Sequence, residues 1–486
     1  MSIKRYTATK DNTLTNAYTT NLTTRGTGSN MGRADSLEVF SIFGQASSSS
    51  LEATRILVQF PVVTADATKT IQADRTSGKI PASGSVNFFL RMFNVAHDST
   101  VPRNFTLSIS PVSQSWEEGY GLDMEGYKDK TYGGSGSNWI NAGSGTAWTN
   151  EGGDYLTASA YSSYNYSQAF DSGSEDIEVD ITGLVEQWIT GTAGSGYGNY
   201  GVGIFLTSSQ ENANRSYYTK KFSARSSEFF FKRPIIEARW DSSKKDNRGN
   251  FYISSSTLSS ADNLNILYFY NYVRGQPKNL PNVGTGAVYV TTHTSASAGT
   301  QLTTTPTQPV TGGWVSTGVY SASFALYTTE SVVYDRWYSG SIYYHTGSFK
   351  PSAFESSNIY ETKEYVTSVS NLRSEYYNDD IARLRVHTRL KDWNPTIYTV
   401  ATAGIQNYII EDVYFKVFRI IDDYDVISYG TGSVNHTRLS YDTSGSYFDL
   451  DMSILEVGYE YGLKFAFYIN GAYDEHNHTY KFKVTE

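Results

Sequence analysis

Tyr459-Glu460-Tyr461-Gly462-Leu463-Lys464-Phe465-Ala466-Phe467-Tyr468-Ile469 is the longest alternating run in the chain, with Tyr459, Tyr461, Leu463, Phe465, Phe467 and Ile469 at every second position. Successive side chains of an extended strand point to opposite faces, so this period places one apolar face on a core and predicts antiparallel sheet. The pattern recurs upstream. Val86, Phe88, Leu90 and Met92 alternate with Asn87, Phe89, Arg91 and Phe93, and Ala382, Leu384, Val386 and Thr388 alternate with Arg383, Arg385, His387 and Arg389. Clusters of Gly, Asn, Asp and Ser separate the runs, as turns require. Helical spacing is nearly absent. Ile181, Leu184, Val185 and Trp188 fall at i, i+3, i+4 and i+7 and predict one or two helical turns. The expected fold class is all-β.

At 486 residues the chain suits two to four domains. The polar stretch Asp241-Ser242-Ser243-Lys244-Lys245-Asp246-Asn247-Arg248-Gly249 follows the strand-like Pro234-Ile235-Ile236-Glu237-Ala238-Arg239-Trp240 and reads as a linker. A softer break falls near Phe349-Lys350-Pro351-Ser352. The expected domains are therefore 1–241, 250–348 and 349–486. Two long insertions rich in Ser, Thr and Gly run from Gly133 to Tyr166 and from His293 to Thr311.

Forty tyrosines, no cysteine and a charged fraction of 18% set the chemical character. Tyrosine joins a large apolar ring to a wet hydroxyl and suits half-buried strand faces and contact surfaces. The net charge of −9 disfavours nucleic acid, which rewards clustered Lys and Arg. No stretch approaches the ~20 apolar residues that span a membrane, so no membrane partner is expected. The lack of cysteine removes disulfides, thiolate metal sites and Cys nucleophiles together. Met1-Ser2-Ile3-Lys4-Arg5-Tyr6 has no apolar segment behind its basic pair, so synthesis in a cytoplasm without standard export is the expectation.

Residues able to carry chemistry are scattered. Of the seven histidines only His476 and His478 are close, and as a pair they fall short of the ~3–4 ligands of a zinc site. Glu117, Glu118 and Asp154 are the candidates for a structural calcium, with Asp123 beside them, since calcium prefers loop carboxylates and carbonyls; no other cofactor is expected. The doublets Asp379-Asp380 and Asp422-Asp423 read as turn formers, and Asp449 and Asp451 share a strand face. Glycoside cleavage needs two carboxylates at a set separation inside a cleft, which adjacent acids do not provide. No Gly-x-Ser-x-Gly elbow or P-loop is present, and the Gly-Ser-Gly stretch from Gly133 to Gly136 lacks the strand, helix and Lys of a phosphate cradle. The chain reads as non-enzymatic. Trp116, Trp139, Trp148 and the loop tyrosines Tyr155, Tyr161, Tyr164 and Tyr166 are the candidates for contact with a ligand or partner, a sugar face included. Trp188, Trp240, Trp314, Trp337 and Trp393 read as core plugs.

An ordered set of short motifs spans residues 1 to about 241: Tyr6, Asp11-Asn12-Thr13, Asn30-Met31-Gly32, Arg55-Ile56-Leu57-Val58-Gln59-Phe60, Trp116-Glu117-Glu118-Gly119, Trp139, Trp148 and Gly152-Gly153-Asp154. It continues with Val179-Asp180-Ile181-Thr182, Trp188, Asn199-Tyr200-Gly201-Val202-Gly203, Phe222-Ser223-Ala224-Arg225 and Arg233-Pro234. This part resembles the DNRLRE-type, carbohydrate-binding-module-like domain, which implies a jelly-roll sandwich. Ala224-Arg225 stands where that family more often has Arg-Glu. The remainder looks like a structural protein of tailed phages of the marine T4-like type, through Leu267-Tyr268-Phe269-Tyr270-Asn271-Tyr272-Val273-Arg274-Gly275, Gly318-Val319-Tyr320-Ser321-Ala322-Ser323, Tyr344-His345-Thr346-Gly347, Lys391-Asp392-Trp393-Asn394-Pro395 and Phe448-Asp449-Leu450-Asp451-Met452. With these resemblances the expectation becomes tandem antiparallel β-sandwiches, a jelly roll followed by two smaller Ig-like sandwiches. The implied role is a structural component of a phage virion, an exterior head decoration or fibre-like protein. Its implied partners are major capsid, neck or tail proteins and further copies of itself. The alternative is a glycan-binding adhesin module that attaches to host or surface glycans.

Overall fold

In the computed structural model, residues 2–63, 69–96, 100–122, 136–191, 197–297, 299–354, 363–401 and 406–486 are described. His97, Asp123 and Gly133 lie outside them. The chain is all-β and sandwich-like, and it divides into two compact units, Ser2–Asp241 and Ser242–Glu486.

The first unit holds two main antiparallel sheets. Four strands run in the order Ile3–Thr7, Ile235–Arg239, Asn87–Met92, Ile177–Asp180. The larger sheet runs Tyr217–Ser223, Ser36–Phe43, Leu51–Gln59, Val202–Leu206, Phe105–Pro111, Tyr166–Phe170, with Lys10–Thr15 also paired to Leu51–Gln59. Strand Asn87–Met92 buries Phe88, Leu90 and Met92 and leaves Asn87, Phe89 and Arg91 on the other face, as its alternation predicts. Leu51–Gln59 differs, because Ile56, Leu57 and Val58 are all buried. A strand dry on both faces needs a cover on each side. On one side the cover is a second small core in which Leu14, Ala53 and Leu57 pack with Val112, Trp116, Trp139, Ala142 and Trp148. The insertion expected from Gly133 onward thus folds, over its described part, as a lid on the sheet. The expected helical turns are present as Thr182–Thr190, which buries Leu184, Val185 and Trp188.

The second unit opens with an antiparallel sheet in the order Asn265–Tyr270, Val319–Leu326, Val310–Ser316, Val288–His293, Val333–Ser339, Ile342–Phe349. It wraps a core of Phe251, Leu267, Phe269, Val290, Tyr320, Phe324 and Trp337, among others. The rest is a sandwich of two further sheets. One runs Tyr365–Val369, Ile381–Leu390, Gly445–Asp451, Ser440–Asp442; the other runs Glu375–Tyr377, Tyr480–Thr485, Glu460–Ile469, Val413–Arg419, Tyr424–Ile427. Phe448 of the first sheet stacks on Phe415 of the second at 4.3 Å. The opening run of the sequence lies in the middle of the second sheet, where Tyr461, Leu463, Phe465 and Phe467 are buried.

Two readings need correction. The stretch from Asp241 to Gly249, expected as a linker, is from Lys244 onward bonded into the second unit. Asp246 N–H donates to Tyr441 O, Tyr441 N–H to Lys244 O, and Asn247 Nδ2 to the Tyr441 hydroxyl. Its polar side chains bond groups of that unit: Asn247 Oδ1 accepts from Ile266 N–H, Lys245 pairs with Asp412 and Arg248 with Asp335. Trp314, expected as a core plug, is 41% exposed and donates Nε1 to Asn279 Oδ1, whereas Trp188, Trp240 and Trp337 are buried as expected. Trp314 pairs with Tyr320, and the register shifts immediately after it, between Trp314 and Ser316, near the end of its strand.

Candidate functional site

The scattered motifs of the first unit converge on one buried polar junction. Asn30 Nδ2 donates to Glu118 O at 2.7 Å and Ser137 O at 2.8 Å, and its Oδ1 accepts from Gly32 and Gly121 N–H. Asn12 Nδ2 donates to Ser137 O, and its Oδ1 accepts from Met31 N–H. Each amide thereby stitches distant loops together. Gly119 has φ +81, and a Cβ there would meet Asn30 Oδ1 at 2.3 Å, so only glycine fits.

Charge is arranged around the same junction. Arg225 forks onto Glu118 through Nε at 2.5 Å and Nη2 at 2.6 Å, so the Ala224-Arg225 variation still supplies a clamp. Asp11 N–H donates to Glu118, and Asp11 Oδ2 accepts from Arg225 N–H. Asp11 is 1% exposed and, among the described residues, its Oδ1 has no hydrogen-bond partner. Burial, with Glu118 adding to it against the opposing Arg225 contacts, pushes its carboxyl from 3.8 up to about 7.

That shift has a testable sign. A carboxyl whose folded pKa is raised binds more protons folded than unfolded, so its contribution to stability declines as pH rises from the ordinary value towards 7. The steepest loss is about 1.4 kcal/mol per pH unit for one proton. Chemical denaturation of the whole protein between pH 5 and 8 is expected to show this decline in wild type and a flatter profile in Asp11→Asn. Equal slopes in the two proteins would exclude Asp11 as its source.

The nominated contact residues lie close by, and the structure buries the tryptophans. Trp116, Trp139 and Trp148 are 3%, 6% and 6% exposed within the second small core. Trp116 Nε1 donates to Tyr200 O and Trp148 Nε1 to Asn138 O. Arg55 lies 5.3 Å from the Trp139 ring and 5.8 Å from the Tyr155 ring while forking onto Glu211. Tyr155 donates its hydroxyl to Gly152 O. At Gly152, φ is +86 and a Cβ would strike the Trp139 ring at 2.9 Å. These rings present no open stacking face to a sugar. Tyr161 and Tyr164 are half-buried and pack edge-on against Tyr197 at 4.9 and 5.6 Å.

The nominated calcium ligands are separated by their partners. Glu117 accepts from Ser144 N–H, Glu118 holds Arg225, and Asp154 accepts from Thr149 N–H, from Asn150 N–H and Nδ2, and from Gln114 Nε2. Burial pushes the Asp154 carboxyl up, but the Thr149 and Asn150 donors outweigh it and hold it below the usual range. Among the described residues, no three His, Asp or Glu side chains converge on a metal position. Asp449 is forked by Arg383, Asp451 caps Ser453 N–H, Asp380 accepts from Tyr377 N–H, and Asp422 is forked by Arg419.

The second unit contains a cleft of about 300 Å³ lined by Asp246, Arg248, Tyr268, Phe269, Tyr270, His345, Asp442 and Thr443. Its ionic groups are already engaged. Arg248 forks onto Asp335 at 2.6 and 2.7 Å, Asp442 pairs with Arg385 at 3.2 Å, and Asp246 accepts from Arg248 N–H. Burial pushes the Asp246 carboxyl up to about 6. Sequence reading missed this cleft, since its walls come from four separated segments. It also missed an outward row of tyrosines, Tyr289, Tyr338 and Tyr343, on one face of the first sheet of this unit. The alternation of Tyr334, Arg336 and Tyr338 with buried Val333, Asp335 and Trp337 was the available signal.

No family model and no curated protein matches the chain. Among solved structures it is similar to the Yersinia pseudotuberculosis adhesin InvE, with 13% identity over 45% of this chain and 54% of that one and a TM-score of 0.15. It is similar to trypsin-activated alpha-2-macroglobulin from Escherichia coli at 8% identity, over 82% of this chain and 22% of that one, TM-score 0.16. A marsupial T cell receptor shows 8% identity, covering 46% of this chain and 68% of that one, TM-score 0.15. The chain thus spans about half of the adhesin and under a quarter of the macroglobulin. Likenesses this slight carry no argument about activity.

Proposed function

We propose that the chain is a non-enzymatic structural component of a tailed-phage particle, docked on its exterior through Tyr-rich sandwich surfaces. The observation that carries the contact role is the exposure of large aromatic side chains in both units, among them Tyr120, Tyr218, Phe229, Tyr272, Tyr327 and Tyr377. Glu118, Asp335 and Asp449 are held by arginines and Asp154 by backbone amides, an arrangement that serves rigidity. The phage assignment is supported by the sequence resemblance of the region after residue 250. Many copies docking through such faces add weak contacts by multivalency.

Quantitative mass spectrometry of purified particles, scored against the major capsid protein, tests the reading. Hundreds of copies support a head lattice or decoration role, and a few to a few dozen support neck, tail or fibre. Absence from the particle overturns it. Tyr327→Ser with Tyr377→Ser is expected to reduce incorporation while leaving stability within about 0.5 kcal/mol per substitution, the usual range for exposed sites.

A further inference from the structure

Strands Val288–His293, Val333–Ser339 and Ile342–Phe349 lie side by side, and their register fixes what shares a face. Tyr289 stands opposite Tyr338 and Thr291 opposite Arg336; across the next pairing Tyr338 meets Tyr343 and Arg336 meets Thr346. The intervening Val290, Asp335 and Trp337 are buried on the other side. The outer face is therefore a row of three rings. Their centroids follow one another at 5.9 and 5.2 Å with planes inclined by 37° and 36°, a shallow ribbon that turns with the sheet.

One cation sits on this ribbon. The Arg336 guanidinium lies 4.2 Å from the Tyr343 ring centroid, and its Nε is buried with no hydrogen-bond partner among the described residues. Among the described residues no carboxylate pairs with it, whereas Arg248, Arg383, Arg385 and Arg419 of the same unit each hold an acid. Its partners in register, Thr291 and Thr346, carry hydroxyls and no charge.

We propose that this face binds a carboxylated polysaccharide, with pyranose rings stacking along Tyr289, Tyr338 and Tyr343 and a uronate carboxylate taken by Arg336. The inference does not rest on the particle reading. Tyrosine faces accept the C–H side of a sugar ring, and their hydroxyls exchange hydrogen bonds with its hydroxyls. A guanidinium recognises carboxylate through a planar fork, and here no protein acid competes for it. An open row suits an extended repeating chain better than a single small molecule, and repetition adds affinity. A single cation is too few for a nucleic-acid backbone, whose affinity grows with the number of phosphates neutralised.

The test uses the full chain in affinity electrophoresis through gels containing alginate, polygalacturonate, neutral dextran or dextran sulfate. Retardation by one or both polyuronates and none by neutral dextran is expected. Arg336→Gln and Tyr343→Ala are each expected to weaken binding at least tenfold, with Arg336→Lys between them and wild type. Tyr343 is 54% exposed, so its substitution keeps the test valid if Arg336→Gln perturbs folding. Failure of both polyuronates to retard the wild-type chain overturns the proposal. So does full binding by Tyr343→Ala, or equal retardation by dextran sulfate, which would mean charge alone.

Discussion

Replacing Asp335 with Ala is expected to lower the unfolding free energy of the Ser242–Glu486 unit by about 3–5 kcal/mol, the usual cost of stripping one partner from a buried ion pair. Asp335 is fully buried on strand Val333–Ser339, where it accepts both Nη groups of Arg248 and the Trp337 Nε1 proton at 2.6 Å. Its loss leaves a largely buried guanidinium without its carboxylate and takes the acceptor from the Trp337 indole N–H. The pair is tightly built. A Cβ at Gly347 would lie 2.6 Å from Arg248 Nη1, so glycine there makes room for it. Burial pushes the Asp335 carboxyl up, but the Arg248 bonds and charge outweigh it and hold it below 3.8. A depressed folded pKa gives stability that is present above the unfolded value and lost as pH falls through the folded one. The deficit of Asp335→Asn against wild type is therefore expected to shrink below about pH 4, near the ordinary Asp pKa. Urea unfolding gives the magnitude, and hydrogen exchange should quicken in Val288–His293 and Val333–Ser339. A loss under about 1 kcal/mol, the scale of an exposed pair, would show that the pair is not the anchor described.

In the first unit the corresponding result is expected at Glu237. It is 1% exposed on strand Ile235–Arg239 and faces three guanidinium groups, Arg5 at 2.7 Å, Arg91 at 3.4 Å and Arg239 at 2.6 Å. Arg5 stands directly across the strand pair, while Arg91 lies diagonally on the next strand. Burial alone would raise the Glu237 carboxyl, but the three positive charges together hold it well below the carboxylate range. Glu237→Ala removes the shared acceptor and leaves like charges facing one another, at a cost of about 3–5 kcal/mol. Glu237→Gln keeps the shape without the charge and is expected to lose nearly as much. Added salt should recover little, because screening is weak for buried charges. Faster exchange confined to Ile3–Thr7, Asn87–Met92 and Ile235–Arg239 is the local readout. A Gln variant as stable as wild type would mean that the arginines are balanced by other acids, Glu178 first among them.

Much of the architecture was legible because strand alternation is a local property. The runs at Asn87–Met92, Ile381–Leu390 and Glu460–Ile469 bury the faces their spacing specifies, and the helical turns ending near Trp188 fall where the i, i+3, i+4 pattern puts them. The polar residues of Lys244–Gly249 were harder to read. Their composition is that of a linker, yet their partners Tyr441, Ile266 and Asp335 lie far along the chain.

By itself the sequence determined the all-β class, the position of most strands and the absence of cysteine chemistry, since these depend on composition and on neighbours two residues apart. Only the tertiary structure decided which aromatic rings are core and which are surface. Trp139 and Trp148 look like loop residues in sequence and become core because they cover the second face of Leu51–Gln59. Trp314 looks like a plug and is exposed at a register shift. Tyr289, Tyr338 and Tyr343 form a row only because antiparallel pairing sets three separate strands in register. A ring's exposure depends on what folds over it, and that is supplied by residues tens to hundreds of positions away.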